Sequence, residues 1–171
     1  ARNILVGSNA LSLAAMVAQG ARAAPVPLAG EVADCAAAIR ALADGLAPGE
    51  ALALGGETTV ALDALPPGAI PGQGGRNQEL ALRLALLAEK HPLAGDWGFA
   101  AVGSDGRDGP GEAAGALVGP DTLARIRRAG IDPADAAARH DATPALAAGG
   151  ALVVTGPTGT NVADLAVFVR D

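Results

Sequence analysis

The sequence predicts an α/β protein of three layers: a mixed, mostly parallel sheet with helices on both faces. Three observations predict it. Short apolar runs alternate with stretches of helical periodicity, the rhythm of strand, helix, strand that builds parallel sheets. Aromatic residues are limited to Trp97, Phe99 and Phe168 while 43 of the 171 residues are alanine, so the core is made of small side chains that suit close helix–sheet packing. Four polar, glycine-rich loops punctuate the pattern, and three of them follow an apolar strand directly.

The elements follow in order. Ile4–Val6 reads as a short buried strand ending in Gly7-Ser8-Asn9, where Ser8 or Asn9 can cap a helix from Ala10 to Ala21 with Leu13, Met16 and Val17 at helical spacing. Val26 and Leu28 make a second strand. Glu31 to Leu46 is a second helix, with Val32, Ala36, Ile39 and Leu42 on one face and Pro48-Gly49 as its stop. Ala51–Leu54 is a strand, Val60–Leu62 reads as extended, and Pro66 to Gly75 as loop. Asn77 to His91 is the strongest helix; Leu80, Leu84 and Leu87 line one face and Leu82 and Leu86 a second, so it is covered on two sides. Phe99–Val102 is the next strand. Thr122–Ala129 is a short helix whose late Arg125, Arg127 and Arg128 suit the negative end of its dipole. Asp132-Pro133 opens another, with Asp132 as cap, and Asp141 or Thr143 caps a last small one. Ala151–Val154 and Leu165–Val169 complete the strands.

Length suits one domain over residues 1–171, with a leading βαβα segment over 1–48 and a second segment over 49–171. The chain enters an apolar run at once behind Ala1-Arg2, which reads as a piece of something longer. The formal charge of −6 and a single lysine, Lys90, argue against a nucleic-acid partner, whose phosphates call for clustered cations. No apolar run is long enough for a membrane span, and no signal peptide is present, so the cytoplasm is the expected location. The lone Cys35 allows no internal disulfide and reads as a small buried hydrophobe. His91 and His140 fall near helix ends, where solvated or capping roles are expected.

The loops are 55–59, 72–79, 103–110 and 155–161. In open α/β sheets ligands sit beyond the carboxyl ends of strands, so four such loops point to one shared site; the alternative for each is a tight turn. The most informative runs Gly72-Gln73-Gly74-Gly75-Arg76-Asn77-Gln78-Glu79. Its glycines leave the backbone bare where a helix presents free N–H groups, and Arg76 adds a planar cation suited to carboxylate or phosphate. Glu79 can pair instead with Arg83 one turn on. Asp105 and Asp108 are either a Mg²⁺-holding pair or Asx-turn residues before Gly106 and Gly109. Thr155–Asn161 offers hydroxyls and N–H groups without charge. Neither a Walker A loop nor a dinucleotide fingerprint is present.

Four motifs stand in this order: Gly55-Gly56-Glu57-Thr58-Thr59-Val60; Gly74-Gly75-Arg76-Asn77-Gln78-Glu79; Gly103-Ser104-Asp105-Gly106-Arg107-Asp108-Gly109-Pro110, with Ala113-Ala114-Gly115-Ala116 behind it; and Thr155-Gly156-Pro157-Thr158-Gly159-Thr160-Asn161-Val162. Together they resemble the C-terminal MOFRL domain of the class II glycerate 2-kinases, some of which carry a hydroxypyruvate reductase label. The likeness covers nearly the whole chain. It implies ATP-dependent, Mg²⁺-assisted phosphorylation of the 2-hydroxyl of D-glycerate, in a cleft shared with a larger N-terminal Rossmann-like domain that this chain lacks. On that reading Arg76 clamps the substrate carboxylate or the transferring phosphoryl group, and Asp105 or Asp108 helps to hold the metal–phosphate unit. Glu57, Thr58, Gly74, Gly75, Asn77, Glu79, Thr158 and Asn161 line the substrate and nucleotide positions. The partners implied are glycerate, nucleotide and the N-terminal domain, with a homodimer left open. The competing readings are a scaffold or oligomerisation domain without chemistry and, more weakly, a hydroxypyruvate reductase.

Overall fold

The computed structural model describes residues 4, 6–62 and 70–171. Helix α1 (Asn9–Ala18) begins where the Ser8 hydroxyl accepts the Leu11 N–H, 3.2 Å away. Of the strand expected just before it, Leu5 lies outside the described residues, and Ile4 and Val6 are exposed and in no ladder. An apolar triplet becomes a strand only where a neighbour takes its backbone hydrogen bonds. Next come β1 (Arg22–Ala23), α2 (Val32–Ala43), β2 (Ala51–Gly56), α3 (Arg76–Lys90), β3 (Trp97–Gly103) and β4 (Gly115–Val118). Three short helices follow, α4 (Thr122–Arg128), α5 (Pro133–Ala138) and α6 (Ala142–Ala148), then β5 (Leu152–Val153) and β6 (Asp164–Arg170). Asp132 caps α5 through the Ala134 and Asp135 amides, as expected.

The α/β class and the mixed sheet are as the sequence predicts, but the balance of pairings is not. The order is β1-β2-β6-β3-β4-β5; only β1 with β2 is parallel, and the other four pairs are antiparallel. The βαβ rhythm is real: α2 carries β1 to β2 and α3 carries β2 to β3, so these three strands point the same way. Strand β6 then enters between β2 and β3 in the opposite sense, turning one parallel neighbourhood into two antiparallel ones. Strand β4, short and half glycine and alanine, carries no alternation that marks it in the sequence. The strand expected at Val26 and Leu28 pairs earlier, at Arg22–Ala23, and Leu28 makes a single bridge to Gly56. Val60–Leu62 lies in no strand, though Thr59 bridges Glu31. Of the expected loop at Pro66 to Gly75, residues 66–69 lie outside the described residues.

The core sits on one face of the sheet. Leu52, Phe168 and Phe99 stand side by side across β2, β6 and β3, and Leu54, Ala166 and Ala101 form the next row. All six are buried against α2 and α3. Trp97 stacks on Phe168 with ring centroids 5.7 Å apart. Helix α3 is enclosed by α2 on one flank and by α5 and α6 on the other, which buries Leu80, Leu82 and Leu84 completely. Cys35 is buried too, and burial pushes its thiol pKa up, as expected of an inert core residue. Helix α1 lies on the opposite face over β1, β2 and β6, with no buried residue of its own. Ser8→Ala removes the one side-chain cap of that peripheral helix and is expected to cost about 1 kcal/mol, read by chemical denaturation; no change would show that the cap is dispensable.

Candidate functional site

Because β1, β2, β3 and β5 point the same way, the loops after β2, β3 and β5 and the start of α3 meet at one edge of the sheet. Strand β6 runs the other way and begins there. The first residue of β6, Asp164, pairs with Gly56 at the end of β2 and with Gly103 at the end of β3. All four glycine-rich loops are joined at this edge by side-chain bonds.

Arg76 opens α3 and is not free. Its Nε and Nη2 donate to the two oxygens of Asp164, at 2.5 and 2.9 Å, and Nη2 lies 3.2 Å from Glu57 Oε1. Asp164 is 1% exposed, against 34% for Arg76. The hydrogen bond that Arg76 donates to Asp164 raises the Arg76 pKa further, despite partial burial, so the guanidinium stays charged. The partner that neutralises Arg76 is Asp164, 88 positions away, beyond the reach of local sequence reasoning. The available signal was a lone acid opening the apolar run Leu165–Val169. Arg76 Nη1 has no partner among the described residues and remains the open edge of the fork.

The helix N-terminus itself is already occupied. Asp108 accepts from the backbone amides of Asn77 and Gln78, at 3.0 and 2.8 Å, and from both of their side-chain amides. Burial raises the Asp108 pKa and these four donors lower it; burial is the larger effect. Asp108 is therefore a tertiary cap for α3 and fills the anion site that the bare amides were expected to offer a ligand. The glycines serve the same contact: a Cβ on Gly75 would fall 2.3 Å from Asp108 Cγ, and one on Gly72 2.3 Å from Asp141 Cβ. Their bareness admits neighbouring loops of the protein.

Asp105 closes an Asx turn, its Oδ1 accepting the Arg107 amide at 3.0 Å, while Oδ2 lies 3.5 Å from Asn161 Nδ2. Asp108 thus serves as a helix cap and Asp105 as an Asx-turn residue, each engaged by donors of its own. Thr158 donates to the Ser104 carbonyl at 2.5 Å, and Asn161 Oδ1 accepts the Ala163 amide at 3.1 Å. The first stitches the last loop to the third, and the second is a local turn within the last loop. Glu79 is 3% exposed and pairs with Arg83 at 2.7 Å, as the spacing allowed. It also takes His140 Nδ1 at 2.9 Å. His140 is buried rather than solvated, at a φ of 55°. It carries no periodic signal, which is why its pairing was missed.

An open cleft of about 520 Å³ lies over these groups. Of the expected site residues, Glu57, Thr58, Gly74, Gly75, Arg76 and Glu79 line it. Asn77, Asp105, Asp108, Thr158 and Asn161 do not. The buried Thr58 Oγ1 and Asn77 Oδ1 have no hydrogen-bond partner among the described residues.

The charged cleft lies at the carboxyl edge of the strands, the edge at which open α/β sheets bind ligands. The MOFRL family model matches residues 50–164, and the chain belongs to that family. The D-glycerate 2-kinase of Thermotoga maritima is 43% identical over 119 residues, covering 68% of this chain and 26% of that protein. An Agrobacterium vitis protein that bears a hydroxypyruvate reductase name is 50% identical over 111 residues, 65% of this chain and 24% of its own length. A crystal structure of a Pyrococcus horikoshii protein superposes with a TM-score of 0.83 at 32% identity, covering 99% of this chain and 40% of that one. The chain therefore spans about a quarter of the length of the two relatives compared by sequence. Among the described residues no helix is long and apolar enough to cross a membrane.

Proposed function

We propose that this chain is the C-terminal domain of an ATP-dependent D-glycerate 2-kinase and forms one wall of an active site completed by an N-terminal domain. The observation that carries the reading is Arg76: a cation anchored by the buried Asp164, on the wall of an open cleft, with Nη1 unpaired among the described residues. That edge suits the glycerate carboxylate or the transferring phosphoryl group. Phosphoryl transfer rests mainly on positioning and charge stabilisation, which a pre-oriented guanidinium provides.

ATP and Mg²⁺ enter through the family. The described residues hold no group of three metal-ligating side chains, and Asp105 and Asp108 are engaged elsewhere. Any metal here would reach this wall with the nucleotide phosphates rather than through a preformed cluster of its side chains.

The test is phosphorylation of D-glycerate by the full-length protein that contains this domain. The full-length protein is expected to form 2-phosphoglycerate and the 171-residue chain none. Arg76→Lys keeps the charge but loses the fork, and kcat/KM for glycerate is expected to fall roughly ten- to a hundredfold, for a loss of about 1.5–3 kcal/mol of transition-state interaction. Unchanged turnover would leave this domain a scaffold. NADH oxidation with hydroxypyruvate in place of kinase activity would favour the reductase name of the Agrobacterium vitis relative.

A further inference from the structure

With Arg76 neutralised by Asp164, Glu57 is a second carboxylate on one cation, and the fold makes no evident use of it. Two carboxylates line the cleft among the described residues, Glu57 and Glu79. Glu79 is buried and committed to Arg83 and His140. Glu57 is the reverse: its side chain is 57% exposed, Oε1 faces Arg76 Nη2 at 3.2 Å, and Oε2 has no partner among the described residues.

The head of Glu57 is exposed, but its stem is fixed. Its amide donates to the Leu28 carbonyl at 2.7 Å, and both the amide and the hydroxyl of Thr59 donate to the Gly30 carbonyl, at 2.8 and 3.1 Å. Thr58 between them is buried. A carboxylate on a rigid turn, anchored by one oxygen and open at the other, is placed to accept a proton rather than to hold the fold together.

Resting on the kinase reading above, we infer that Glu57 accepts the proton of the acceptor hydroxyl during phosphoryl transfer, and that Arg76 and Glu57 together select a 2-hydroxy carboxylate. The substrate carboxylate meets Arg76 Nη1, and the neighbouring hydroxyl donates to Glu57 Oε2. As the hydroxyl oxygen bonds to the γ-phosphorus of a nucleoside triphosphate, the bond from that phosphorus to the bridging oxygen breaks and its electron pair leaves with the nucleoside diphosphate. The hydroxyl proton passes to Oε2 and is released when the products leave.

The experiment uses the full-length protein with D-glycerate and ATP. Glu57→Gln keeps the shape and the hydrogen-bonding reach but cannot accept the proton. It is expected to lower kcat by about a hundredfold, to change KM for glycerate less than threefold, and to leave the melting temperature unchanged. The parent is expected to lose kcat at acid pH and the variant not to, and Glu57→Asp is expected to recover part of the rate. A Glu57→Gln enzyme within threefold of the parent in kcat, one that keeps the acid limb, or one whose loss lies wholly in KM overturns the inference while the kinase reading stands. A parent enzyme that does not phosphorylate glycerate at all overturns both.

Discussion

Arg76→Ala is expected to lower the stability of the 171-residue chain by about 3 kcal/mol, because it strands Asp164 in the core. Asp164 is 1% exposed, and Arg76 supplies both of its side-chain hydrogen bonds. Removing one partner of a buried ion pair leaves a desolvated charge without compensation, which typically costs about 3–5 kcal/mol. For a chain of this size, the melting temperature falls by roughly 6–12 °C. Turnover of the full-length protein should fall as well, so a single alanine variant cannot separate a clamp from a strut. The double variant Arg76→Ala, Asp164→Ala can. It removes both charges and is expected to regain most of the lost stability while activity stays low. A double variant as unstable as the single one would show that the pair is not coupled. Recovery of turnover along with stability would take the chemistry away from Arg76.

Asp108→Ala is expected to be about as damaging. The carboxylate satisfies two backbone and two side-chain amides at the start of α3, all in buried surroundings. Their loss leaves the Asn77 and Gln78 donors unmet beneath the glycine loop, at a cost of about 2–4 kcal/mol. Hydrogen exchange should localise the damage, with protection lost first in the opening turn of α3 and in residues 103–110. Exchange unchanged there, or a melting temperature within about 2 °C of the parent, would mean that other groups hold this turn.

The sequence made the periodic elements legible and hid the long-range pairings. Helices α2 and α3 were readable because Val32, Ala36 and Ile39, and then Leu80, Leu84 and Leu87, repeat at the helical period. The caps at Ser8 and Asp132 were readable because a cap is a local contact. The position of β6 was not, since nothing in Leu165–Val169 says which strands it separates. The site divided the same way. Glycine loops and a helix-opening arginine mark a place on the chain, and six of the expected residues do line one cleft. What each polar group binds depends on residues far away: Arg76 on Asp164, Asn77 and Gln78 on Asp108, Glu79 on His140. A helix N-terminus next to glycines reads the same in sequence whether a ligand or a distant aspartate fills it.

The place of β6 also governs the order in which the protein can be assembled. Among the described residues the two halves of the sheet, β1 with β2 and β3 with β4 and β5, are hydrogen-bonded to each other only through β6, residues 164–170. During synthesis every other strand leaves the ribosome before the one that joins them. Until β6 arrives, β2 and β3 each expose an unpaired inner edge, and the aromatic row of Phe99 and Phe168 is incomplete. Pairings between such distant positions make folding slow and leave the waiting edges open to other chains. Loss of residues 164–171 would therefore leave two half-sheets without a seam.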